Sequence, residues 1–162
     1  MLFRSDVWGP LHNSNPNPTP ASRIRHQGAR HWHEEPYASW LAAARVLAAA
    51  QYRGPASDLP IVVGLVVVRD RPAKRPTWAH LDAWKAGWRL WAPTRPDVDN
   101  YLKAALDAMN GRVFVDDGQV VATVALKVAA AAGESTKVLI YVGTVEEMDE
   151  VFSAARREVT GA

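Results

Sequence analysis

The run Ile61-Val62-Val63-Gly64-Leu65-Val66-Val67-Val68 constrains the fold more than any other stretch. Eight residues are too few to cross a membrane as a helix, and six of them are β-branched, which favours an extended chain. The run predicts a strand buried in the interior, with other elements packed around it. Upstream, Tyr37, Trp40, Leu41, Ala44, Leu47 and Ala48 recur at helical spacing through Gln51, after a Glu34-Glu35-Pro36 opening that suits a helix N-terminus. Gly54-Pro55 ends that helix. Downstream, Gln119–Val128 and Thr136–Val142 read as strands on either side of a turn containing Gly133. Residues 145–159 read as a helix, acidic first and basic last, with Met148, Val151, Phe152 and Ala155 as its apolar face. A chain of 162 residues with this order predicts one compact α+β domain over residues 1–162, a mixed β-sheet with packed helices.

The ends and the loops are distinct in composition. Residues 1–22 are rich in Pro, Asn and Ser, which predicts a flexible arm or an edge segment held only by tertiary contacts. They lack an apolar core with a small-residue cleavage site, so no secretory signal is expected, and no apolar run is long enough for a membrane span. The absence of cysteine excludes disulfides and thiolate metal sites and fits a reducing cytoplasm. Residues 1–95 carry 13 Lys/Arg against 6 Asp/Glu, a balance of +7; residues 96–162 carry 6 against 11, a balance of −5, giving +2 overall. A basic half joined to an acidic half suits a protein that grips a polyanion and holds cations near it.

The basic half offers several candidate phosphate contacts. Arg23, Arg25 and Arg30 stand in a basic and aromatic run with Trp32, able to reach phosphates and stack on bases. His31 and His33 alternate within it, either as a pair of metal ligands on one strand face or, with no third ligand near, as surface histidines on a hairpin. Residues 69–95 form a basic, Trp-rich segment in which Lys74 and Arg75 lie in a Pro-punctuated loop. Leu81, Trp84, Trp88 and Trp91 then fall at i, i+3, i+7 and i+10, with Lys85 and Arg89 on a neighbouring face. That spacing predicts a helix whose indoles pack on the core or on a partner subunit, or else an aromatic, cationic flap over nucleic acid.

The chemistry concentrates in residues 95–121. Asp99-Asn100 predicts the cap of a helix over Tyr101–Asn110, closed by Gly111, with Lys103 four residues after Asp99. Val113-Phe114-Val115 predicts a short strand that carries Asp116-Asp117 back towards the start of that helix. Alternation along an extended segment turns Asp116 and Asp117 opposite ways, so one of them faces the site and the other does not. Three converging carboxylates repel one another; Mg²⁺ relieves this and can polarise a phosphoryl group and supply a hydroxide-like nucleophile, with Lys103 stabilising developing charge. The same spacing also describes a helix cap followed by a turn.

The string P-D-V-D-N-Y-L-K-A-A-L-D-A-M-N-G over 96–111, followed by D-D-G-Q-V over 116–120, resembles the signature of the RusA-type Holliday junction resolvases of bacteria and phages. The resemblance implies that Asp97, Asp99 and Asp117 are essential metal-binding carboxylates, with Asp116 as a weaker fourth, and that Lys103 is the catalytic lysine. It implies a homodimer that binds four-way DNA junctions and nicks two strands symmetrically with Mg²⁺ or Mn²⁺, in the cytoplasm of a bacterial or phage-infected cell. No membrane partner is implied. A looser likeness extends to the N-terminal P-x-P and R-x-R segment and to Lys127, an expected DNA contact at the end of a strand. Tyr101 stands where the family has Leu, and the Trp-rich residues 77–91 depart from the family pattern. The rival readings are a metal-dependent nuclease for other branched DNA, such as forks or flaps, and a non-catalytic junction-binding protein.

Overall fold

The computed structural model describes residues 3–5, 25–27, 30–32 and 37–160, with side chains from residue 40 onward. The apolar run becomes the central strand β4 (Ile61–Arg69) of a five-stranded sheet ordered β1-β7-β4-β6-β5. It pairs antiparallel with β7 (Lys137–Thr144) and parallel with β6 (Val120–Ala129), Val63 facing Val142 on one side and Thr123 on the other. The edges are β1 (Phe3–Ser5) on β7 and β5 (Leu90–Trp91) on the end of β6. A separate hairpin joins β2 (Arg25–Gln27) to β3 (Arg30–Trp32). The mixed-sheet α+β expectation is therefore met, and residues 3–5 are an edge strand rather than part of a loose arm. The rest of residues 1–22 lies outside the described residues.

Helices cover both faces, which is why β4 shows no polar alternation. Ile61, Val63, Leu65 and Val67 pack under α1 (Tyr37–Gln51) and α3 (Val98–Met109) through Leu41, Ala44, Tyr101, Ala104 and Ala108. Val62, Val66 and Val68 pack under α4 (Met148–Thr160) through Val151 and Ala155. Gly64 lets α4 approach: a Cβ there would stand 3.1 Å from both the Val151 carbonyl oxygen and the Ala155 methyl.

β4, α3 and β6 form a crossover, with α3 running back along the sheet between two parallel strands. The carboxyl ends of β4 and β6 thus lie at the start of α3, and their amino ends lie at its finish. Residues 130–136 pass over the end of β4 to reach β7, and the Ala130 amide donates to the Arg69 carbonyl at 2.8 Å.

The tryptophan stripe does not form one helix. α2 covers only Leu81–Lys85; Gly87 follows at φ +73, a left-handed conformation that ends the helix and turns the chain into β5. Trp84 is half-buried beneath the Arg71 guanidinium, 4.4 Å from the ring centre, and Arg71 also donates to the carbonyls of Trp84, Trp88 and Ala130. Trp88 and Trp91 remain 66% and 57% exposed.

Candidate active site at the two ends of one strand

Asp97 is the N-cap of α3, so the helix starts one turn earlier than the Asp99-Asn100 cap predicted. Its backbone is extended and its side chain accepts no cap hydrogen bond, which leaves the carboxylate projecting from the positive end of the helix dipole. Asp99 lies exposed in the first turn. Lys103 follows one turn later, 59% exposed, with its Nζ 3.9 Å from Asp107. Asp97, Asp99 and Lys103 therefore share the first two turns of one helix.

Two cations hold the chain that delivers them. Lys127, near the end of β6, donates from Nζ to the carbonyls of Thr94 and Pro96, the second at 2.6 Å. Arg69, the last residue of β4, donates to the Thr94 hydroxyl at 3.2 Å and to the Arg95 carbonyl. Burial, reinforced by the nearby Arg69 charge, lowers the Lys127 pKa, while Asp97 opposes the shift. Lys127, expected as a DNA contact, thus turns its ammonium onto the backbone of residues 94–96. Tyr101 packs its ring beneath this junction, 3% exposed, and burial raises its phenol pKa against the field of Arg69. An open pocket of about 490 Å³ lies alongside, bounded by residues 91–95, Asp97, Val98 and residues 125–127.

The second acidic pair lies elsewhere. Residues 113–115 form no strand; Phe114 makes single bridges to Ser57 and Asn110 and steers the chain past the end of α3. Asp116 then caps a 3₁₀ turn over Asp117–Gln119, accepting from the Gly118 amide at 2.8 Å while Gln119 Oε1 accepts from the Asp116 amide at 2.8 Å. Gln119 Nε2 ties this box to the carbonyls of Ser57 and Leu59, at the amino end of β4. Asp116 is thereby engaged in structure. Asp117 is exposed, and its carboxylate has no partner among the described residues.

The carboxylates do not converge within one chain. Asp117 precedes Val120 at the start of β6, and Asp97 faces Lys127 seven residues further on, a span of about 23 Å for an extended strand. Among the described residues no group of three or more acidic or histidine side chains comes together to hold a metal ion. The predicted return of Asp116-Asp117 to the start of the helix is corrected: α3 is the return path, and the chain meets β6 at the opposite end.

The remaining cations divide. Lys74, Arg75 and Lys85 are exposed, although Arg75 also donates to the Ala79 carbonyl at 2.8 Å. Arg89 is not a free phosphate contact: its side chain is 15% exposed and clamps Glu134 and the Glu158 carbonyl. Burial acts to raise the Glu134 pKa, but the Arg89 hydrogen bond and the Ala131 amide outweigh it and hold the carboxyl at about 2. The Glu134 bond raises the Arg89 pKa in turn. Arg25 and Arg30 lie in the β2–β3 hairpin, and Arg23 lies outside the described residues, as does His33. The positioning role of Arg69 and Lys127 was missed from sequence, where the only signal was a cation ending each of two otherwise apolar strands.

The family model described as Endodeoxyribonuclease RusA matches residues 13–141, which include every carboxylate and lysine named above for the site. No curated protein matches the chain.

Proposed function

The chain belongs to the endodeoxyribonuclease RusA family, and from that premise we propose that it is a homodimeric, divalent-metal-dependent nuclease that resolves four-way DNA junctions by paired nicks. Membership makes it a hydrolase of DNA phosphodiester bonds; junction choice, metal and dimer are the proposed part. The observation that carries the dimer is the separation of Asp97 and Asp99 from Asp117 along β6.

β6 supports a way to close that gap. β5 covers only Val128 and Ala129, with one further bond from the Ala92 amide to the Lys127 carbonyl. From Val120 to Leu126 the outer edge of β6 has no strand partner among the described residues, and Val121 is 59% exposed on it. A second copy pairing antiparallel with this edge about a two-fold axis would set the start of one β6 beside the end of the other. Asp117 of one subunit would then join Asp97 and Asp99 of its mate, twice per dimer, one site for each strand to be nicked.

Within a single chain the donors do not fit a divalent cation. With both subunits, Asp97, Asp99 and Asp117 form an all-oxygen set of the kind Mg²⁺ and Mn²⁺ take. When bound, the cation supplies Lewis-acid polarisation of the phosphate and charge neutralisation at the leaving oxygen. The protein's own contribution is positioning. Lys127 and Arg69 fix residues 94–96, so that Asp97 is presented in one place. Lys103, exposed one turn from Asp99, offers its ammonium to the non-bridging or leaving oxygen as negative charge develops.

Labelled four-way, forked, flapped and linear duplex DNA, each incubated with and without Mg²⁺, test this reading. Paired nicks in the four-way junction, dependent on Mg²⁺ and absent from linear duplex, are expected. Preference for forks or flaps would overturn the junction assignment. Binding without any cutting would make the protein a non-catalytic binder, and no action on branched DNA would end the reading.

A further inference from the structure

We infer that the pocket beside Asp97 is a nucleobase subsite in which Trp91 stacks on a base unstacked at the branch point, so that Trp91 contributes to substrate recognition. This rests on the nuclease reading above. Three observations carry it. Trp91 is 57% exposed although it belongs to β5, where a strand residue of its size would ordinarily be covered. It forms one wall of the 490 Å³ pocket, with Pro93, Val98 and Leu126 as further apolar lining and Asp97 on the same rim. Two cations line the pocket: Lys127, engaged with the Thr94 and Pro96 carbonyls, and Arg95, which is exposed.

The chemistry of that lining selects the occupant. A phosphate would meet Arg95 with Asp97 opposing it, which leaves the indole and aliphatic walls to the base of the same nucleotide. A neutral, flat, π-faced group would meet an indole and aliphatic walls, and the volume lies in the range of small-ligand pockets. Unstacking a paired base costs a few kcal/mol, which stacking on the indole offsets in part. Because Asp97 shares the rim, a base held on Trp91 would belong to a nucleotide adjoining the phosphate to be cut. The interrupted helix at Gly87 is what turns Trp91 outward and into this position.

The test is a coupling measurement by titration without divalent cation, so that nothing is cut. Wild type, Trp91→Ala, Trp91→Phe and, as a control, Trp88→Ala are each titrated with an intact junction and with junctions lacking a single base at one crossover nucleotide. Trp88 is 66% exposed but lies outside the pocket lining. Expected results are about tenfold weaker junction binding by Trp91→Ala, near-complete rescue in Trp91→Phe, and little change in Trp88→Ala. One abasic position should weaken wild type to the level of Trp91→Ala and leave Trp91→Ala unaffected. Additive losses at every position would overturn the inference, as would Trp91→Ala binding like wild type. Conversion of Trp91→Ala to a monomer in sedimentation would also overturn it, by showing that the indole faces a second copy. Wild-type protein that neither binds nor cuts branched DNA would instead defeat the nuclease reading itself, and this inference with it.

Discussion

The two ends of β6 carry the same residue type to different purposes. At the carboxyl end, Asp97 and Asp99 sit at the start of α3, yet the Asp97 side chain makes no cap bond and the order is imposed from below by Lys127 and Arg69. At the amino end the order is local, a capping box in which Asp116 and Gln119 satisfy each other's backbone. One acidic pair is held by half-buried cations gripping carbonyls, the other by its own turn. An acidic doublet in sequence thus does not reveal which carboxylate is free; the backbone amide that claims Asp116 decides it for Asp117.

The largest expected effect tests whether the two ends work together. Asp97→Asn and Asp117→Asn homodimers should each lose nicking by roughly 1,000-fold while still binding junctions. Mixing the two inactive variants by co-refolding should restore about a quarter of the sites, because a mixed dimer keeps one unaltered Asp97 with one unaltered Asp117. If mixing restores nothing, the two ends do not share a site across subunits.

The next effect separates imposed order from local order. Lys127→Met should lower nicking about 100-fold through misplacement of Asp97, with a smaller loss in Lys127→Arg. A profile in which junction binding falls and single-turnover nicking of bound junction is unchanged would return Lys127 to the DNA contacts. At the other end, Asp116→Asn retains an oxygen that can accept from Gly118 and should keep most activity, whereas Asp116→Ala should cost about 1 kcal/mol of stability in denaturant melts. Equal inactivation by Asp116→Asn and Asp117→Asn would erase the distinction between cap and ligand.

The smallest effect lies outside the site. Glu134 in the folded protein has a pKa of about 2 against an ordinary 4.5, so its ionised form adds stability above pH 4.5 that is lost as pH falls towards 2. The Tm of wild type should therefore drop more steeply across that window than the Tm of Glu134→Gln. At neutral pH the variant should be less stable by about 0.5–1 kcal/mol, since it removes the nearer carboxylate of Arg89 while Glu158 remains 3.9 Å away.

Much of this architecture was legible in sequence because periodicity and branching are local signals. The run at 61–68, the stripe through Gln51 and the segments around 120–129, 137–144 and 145–160 all appear as elements close to their predicted bounds. The tryptophan stripe misled because spacing cannot register Gly87 adopting a positive φ. The carboxylates were identifiable as a set, but their separation was not, since it depends on which end of α3 meets which end of β6. That is a property of the crossover, and no window of residues contains it. For the same reason Arg89 read as a surface cation, its partners Glu134 and Glu158 lying 45 and 69 residues away.

The central place of β4 also sets a schedule for biosynthesis. Its partners β6 and β7 end at Ala129 and Thr144, so a ribosome adding about 5–20 residues per second completes the second neighbour about 4–15 s after Arg69. Until β6 is made neither edge of Ile61–Val68 has its partner, and until β7 is made one edge stays open. Nascent chains of this protein should therefore engage holding chaperones between the emergence of β4 and of β7, and high-level expression should be limited by this waiting time more than by the stability of the finished fold.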